Sequence, residues 1–184
     1  FFLPIKTYSN DENKFLFSEG MKASNSGDFI QALEVWDKFL TNNPQDALAL
    51  GNRGNVRLAL GDIQGAIEDQ TNAMQLLPEE FDPHLNRGIA EEILHQCDDA
   101  EKDYKWVLDK DPNNSRALYN LGNVQAARGN WLEAREFFMK ASLDGTGFAM
   151  ARSSQALANY QLKEFDEAEI ELRFIIRRYP LFAD

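Results

Sequence analysis

The sequence predicts an all-α fold built from five helix–turn–helix pairs, and three observations carry that prediction. Pro44, Pro78 and Pro112 recur every 34 residues, and Pro180 resumes the series after a gap at Thr146. Small residues keep the same period at Ala32, Ala66, Ala100, Ala134 and Ala168, and at Gly20, Gly54, Gly88, Gly122 and Ala156. Bulky residues keep it at Phe29, Ile63, Cys97, Trp131 and Phe165, and at Trp36, Gln70, Tyr104, Phe138 and Leu172. One register held over so much chain marks a repeat architecture, in which each unit buries its apolar face against a neighbour. No segment of useful length alternates with the two-residue period of a strand.

The helix pairs are expected at 13–26 with 28–41, 47–60 with 62–75, 81–94 with 96–109, 115–128 with 130–143, and 149–162 with 164–178. Within each first helix, the Gly20 column is a place where a second helix approaches too closely for a larger side chain. Between the two helices stand Gly27, Gly61 and Gly129, replaced by His95 and Lys163 in the third and fifth units. A left-handed residue there closes one helix and opens the turn. Asp28, Asp62 and Asn130 follow as expected N-caps. The Ala32 column is the small contact point of the second helix, and the mostly aromatic Trp36 column supplies the knob between helices. Proline then ends the second helix, because it lacks the amide donor and clashes with the preceding turn.

Composition narrows the function. Of 184 residues, 19 are Lys or Arg and 30 are Asp or Glu, a net charge of -11. Such a chain is a poor nucleic-acid or anionic-membrane binder, because both need surplus cations. With 43% hydrophobic and 27% charged residues it is expected to fold. No apolar run is long enough to cross a bilayer. The single cysteine, Cys97, occupies a hydrophobic column and reads as a buried, inert thiol. His84 and His95 fall in different helices and form no metal pair. No nucleophile, Walker or dinucleotide motif occurs, so neither an enzyme nor a cofactor is expected.

The segment 117–141, "ALYNLGNVQAARGNWLEAREFFMKA", together with the columns above, resembles the tetratricopeptide repeat family. The resemblance divides the chain into an N-terminal extension, 1–12, and five repeats at 13–46, 47–80, 81–114, 115–148 and 149–182. It implies a right-handed superhelical solenoid whose first helices line a concave groove, and a protein-binding function. It is weaker in repeat three, at His95 and Cys97, and in repeat five, which lacks both glycines. The loop Asp144, Gly145, Thr146 and Gly147 lacks the proline, so the fourth junction is expected to be looser. The phrases "NRGN", "AIEDQTNAMQLLP" and "LNRGIA" resemble cyanobacterial and plastid repeat proteins. That likeness favours a chloroplast, thylakoid-associated location, with the cytoplasm as the alternative.

Candidate binding residues come from the sixth position of each repeat: Ser18, Asn52, Asn86, Asn120 and Ser154. Three asparagines at one spacing form a ladder whose amides both donate and accept, suited to the backbone of an extended peptide. This is similar to the asparagine ladder of the O-linked N-acetylglucosamine transferase family, whose catalytic part has no counterpart here. Asn55 and Asn123 lie one turn along, and Arg116 could pair with a carboxylate. The alternative is that these asparagines are merely solvated helix positions. The two-pronged carboxylate clamp that holds chaperone tails is incomplete. Gly51, Asn55, Asn86, Arg116 and Asn120 supply two asparagines and one cation, and the first lysine and the last cation are missing. Starting one repeat earlier, Phe17, Met21, Asn52, Asp82 and Asn86 fit less well. Arg53 and Arg87 are expected to pair with acidic side chains and not to face a ligand.

Two function classes follow. One is a non-enzymatic module gripping an extended peptide through the groove. The other is a structural or assembly subunit of a large complex, for example a photosynthetic one, docked by its ends and convex face. The apolar start, Phe1, Phe2, Leu3, Pro4 and Ile5, is expected to pack on a partner, with folding back onto the first repeat as the alternative. The last residues, Leu181, Phe182, Ala183 and Asp184, are expected to open one more helix or to be covered by another chain. The basic patch of Arg173, Arg177 and Arg178, beside Phe174, Ile175 and Ile176, reads either as helix-end charge that complements the dipole or as an end surface that continues into further residues or docks a partner.

Overall fold

The computed structural model describes residues 11–144 and 148–179. Among these the protein is all α-helical, with ten α-helices and no strand, as the periodicity predicts. The helices are α1 (Asp11–Ser26), α2 (Phe29–Asn42), α3 (Ala47–Ala59), α4 (Ile63–Leu76), α5 (Phe81–Ile93), α6 (Cys97–Lys110), α7 (Ser115–Ala127), α8 (Trp131–Ala141), α9 (Phe148–Gln161) and α10 (Phe165–Arg178). A 3-10 turn, Ser142–Asp144, follows α8. Every helix lies within two residues of its expected bounds. The expectations for the first five residues, for the loop at 145–147 and for 181–184 fall outside the described residues.

The turns explain the columns. Gly27, Gly61 and Gly129 have φ of 78°, 85° and 79°. His95 and Lys163 hold the same left-handed conformation, at φ 59° and 65°. The repeat thus imposes its turn even where the side chain opposes it, at a cost of roughly 1–2 kcal/mol each. Asp28 and Asp62 cap α2 and α4, accepting from the amides of Gln31 and Gly65 at 3.2 and 3.0 Å. Asn130 does not cap α8 with its side chain. Its Nδ2 instead donates to Gln125 Oε1 at 2.9 Å, because that buried amide lies within reach. Two caps not anticipated are Asp46 and Asn114, which accept from the amides of Ala49 and Ala117.

The proline loops share one construction. The amides of Asp46, Glu80 and Asn114 donate to the carbonyls of Asn43, Leu77 and Asp111, at 3.1, 3.2 and 3.0 Å. Each proline occupies the second place of that four-residue turn, where its fixed φ fits.

Packing divides the chain into two compact units, Phe1–Leu94 and His95–Asp184. In the first, Trp36 and Phe39 are fully enclosed with Phe17 against them. The Phe17 ring meets Trp36 edge-on at 5.2 Å and Phe39 at 5.6 Å. A β-carbon on Gly20 would stand 2.8 Å from the Trp36 ring, so only glycine allows this approach. In the second unit Phe138 crowds Gly122 in the same way and packs with Ala134 and Ala158. The Ala32 column is buried at all five positions. Cys97 departs from expectation: as the first residue of α6 it is partly exposed, not enclosed.

Candidate functional site

Residues spaced by four and then three share one face of a helix. On α3 that stripe is Leu48, Asn52 and Asn55; on α5 it is Asp82, Asn86 and Ile89. On α7 it is Arg116, Asn120 and Asn123, and on α9 Met150, Ser154 and Leu157.

The asparagines of the first unit are partly engaged within the protein. Asn52 is half-buried, and its Nδ2 donates to the Leu48 carbonyl one turn back at 2.8 Å. That leaves its amide oxygen and its second N–H for a ligand. Asn55 is exposed, and its Oδ1 accepts from Gln70 Nε2 at 2.8 Å. Gln70 is enclosed, and its Nε2 also donates to the Gly51 carbonyl at 3.0 Å. The cause lies in the knob column, where α4 carries an amide in place of an aromatic ring and reaches across to α3. Asn86 is half-buried on α5.

The second unit differs. Phe138 stands at the register position of Gln70 and offers no donor, so Asn123 is not drawn toward α8 as Asn55 is drawn toward α4. Asn123 is half-buried and Arg116 exposed. Asn120 is only 8% exposed on α7.

Arg53 and Arg87 behave as expected of structural arginines. Arg53 forks onto the enclosed Asp69 of α4 and also donates to Asp37 of α2. Those carboxylates, Asp69 foremost, hold its guanidinium charged beyond the ordinary arginine range. Arg87 donates to Thr71 Oγ1 at 3.2 Å. Neither is a candidate for ligand contact. The sequence reading overlooked Met150 and Leu157, about half exposed on the α9 stripe. Their signal was available, since they are apolar residues at positions that α7 fills with polar ones.

A tetratricopeptide repeat family model matches residues 17–79 and 85–148, more than half the chain. The chain therefore belongs to the tetratricopeptide repeat family, a class of protein–protein interaction modules. It is 29% identical over 129 residues to human tetratricopeptide repeat protein 6, covering 70% of this chain and 24% of that protein. It is 27% identical over 117 residues to the Hsp70-Hsp90 organising protein of Plasmodium falciparum, covering 64% of this chain and 46% of that one. The chain thus spans less than half the length of these relatives. Among solved structures it is similar to MamA of Desulfovibrio magneticus, with a TM-score of 0.79 and 18% identity over 92% of this chain and 96% of that one. That likeness shows the fold. No helix among the described residues is long and apolar enough to cross a membrane.

Proposed function

We propose that this protein is a non-enzymatic binding module that holds an extended peptide segment of a partner along the first helices of its repeats. The observation that carries the proposal is the recurrence of asparagine at one register position, Asn52 of α3, Asn86 of α5 and Asn120 of α7. Asn52 and Asn86 lie in the first unit and Asn120 in the second, so each unit offers its own stretch of this position. Asn55 and Asn123 flank it, and Arg116 adds a cation that suits a carboxylate on the bound segment. Met150 and Leu157 give the α9 stripe an apolar stretch, so the favoured segment is polar at one end and apolar at the other. No nucleic acid, metal or cofactor enters this reading.

The test is capture of partners by crosslinking, followed by affinity measurement on the crosslinked segment as a synthetic peptide. Replacing Asn52, Asn86 and Asn120 together by alanine should weaken binding by tenfold or more, which is about 1.4 kcal/mol. The helical circular dichroism should not change. Unaltered affinity in the triple variant would overturn the groove reading.

A second reading, docking by an end of the repeat row, is favoured by the exposed apolar residues of α10.

A further inference from the structure

The knob column is enclosed four times and exposed once. Trp36, Gln70, Tyr104 and Phe138 are 0–2% exposed, whereas Leu172 on α10 is 47% exposed. Phe165 and Ile176 flank it on the same helix face and are 56% and 54% exposed. Within the second unit, the equivalent face of α8, with Trp131 and Phe138, is covered by Ala158 of α9. Tyr160 of α9 meets the Phe165 ring edge-on at 5.4 Å, and about half of each of Phe165, Leu172 and Ile176 still stands open.

Charge indicates the occupant. Along α10 the acidic residues Asp166, Glu167 and Glu169 come early, and Arg173, Arg177 and Arg178 come late. Glu169 and Arg173 border the apolar stripe, both more than half exposed, and pair with each other at 2.6 Å. Laid antiparallel on a copy of itself and centred near Glu171, this helix is self-complementary. Phe165 then meets Ile176, Leu172 meets its neighbourhood in the other copy, Glu169 meets Arg173, and Asp166 lies toward Arg177. A two-fold interface has this property, each contact occurring twice with the partners exchanged.

We propose that α10 is a homodimerisation surface, in which two copies of this chain pair antiparallel through Phe165, Leu172 and Ile176, with Glu169 opposite Arg173. The proposal rests on the end-docking reading and is independent of the groove. Part of the charge gradient complements the helix dipole, but the dipole does not require an apolar stripe beside it.

The test is sedimentation equilibrium of the full chain over a wide concentration range. The expected mass at high concentration is twice 21.0 kDa. Leu172→Glu with Ile176→Glu should return the mass to 21.0 kDa, with the helical signal unchanged. Glu169→Lys alone and Arg173→Glu alone each set like charges opposite one another and should weaken dimerisation about tenfold or more. An equimolar mixture of those two variants should regain it, because each copy then meets the opposite charge. Both residues are exposed, so folding does not confound the comparison. A mass of 21.0 kDa at every concentration would overturn the proposal, as would a dimer indifferent to the α10 substitutions. The asparagine-to-alanine variants of the groove should dimerise normally, which keeps the two readings apart.

Discussion

Arg53 grips Asp69 with two parallel hydrogen bonds, Nε to Oδ2 at 2.8 Å and Nη2 to Oδ1 at 2.7 Å. The carboxylate is 1% exposed, and Arg57 adds a third contact at 3.0 Å. Such a pair is demanding, because removing Arg53 breaks the fork and leaves the buried carboxylate to Arg57 alone. Arg53→Ala should therefore destabilise the first unit by about 3 kcal/mol. Arg53→Lys should recover only part of this, since an ammonium cannot form the fork. Asp37→Asn should cost about 0.5 kcal/mol or less, because that carboxylate is half exposed. Urea denaturation read by circular dichroism checks all three.

Gly122 and Phe138 are a matched pair, as are Gly20 and Trp36. Gly122→Ala should destabilise by about 1–3 kcal/mol through overpacking. The fifth repeat carries Ala156 and Leu172 at the same two positions. Adding Phe138→Leu to Gly122→Ala should therefore restore part of the loss. A double-mutant cycle measured by thermal unfolding would show this as a favourable coupling.

The turns at His95 and Lys163 are strained where their counterparts are relaxed. His95→Gly and Lys163→Gly should each stabilise by about 0.5–1 kcal/mol, the relief of the left-handed penalty less the greater unfolded freedom of glycine. Gln96 follows His95 without a side-chain cap. Gln96→Asp should add about 1 kcal/mol by supplying the cap that Asp28 and Asp62 supply in theirs. Native-state hydrogen exchange across α5 and α6 should slow in step.

Glu101 gives the protein an acid-sensitive contact. Lys105, bonded to it at 2.6 Å, and then Arg128 hold its carboxyl below the ordinary glutamate range. Its stabilising contribution is therefore complete above the unfolded-state value, about 4.3, and is lost as pH falls through the lower folded value. Glu101→Gln should be less stable than the parent at neutral pH. The two should converge below the carboxylate range, as urea midpoints measured against pH would show.

Helix positions were legible because every column has a mechanical duty that repeats. Glycine marks close approach, alanine marks contact, and proline marks an end. The binding stripe was legible only as a register. Asn55 and Asn123 are indistinguishable by position, yet one is bonded to Gln70 and the other has Phe138 at that place. That difference arises 15 residues away on the neighbouring helix, where spacing alone carries no hint of partnership. Asn130 misled for a similar reason, since the competing acceptor on Gln125 becomes visible only once α7 and the turn are packed. The left-handed backbone of His95 was equally hidden, because histidine is a poor marker for a conformation the repeat imposes.

Trp36 is wholly enclosed, and its indole N–H donates to Ser24 Oγ at 3.1 Å. Residues 1–94 contain no other tryptophan, while Trp106 and Trp131 lie in the second unit. The enclosed indole is thus a built-in fluorophore for half the molecule. With Trp106→Phe and Trp131→Phe, the emission maximum would follow the opening of the first unit alone. Each half could then be assigned its own melting curve without any added label.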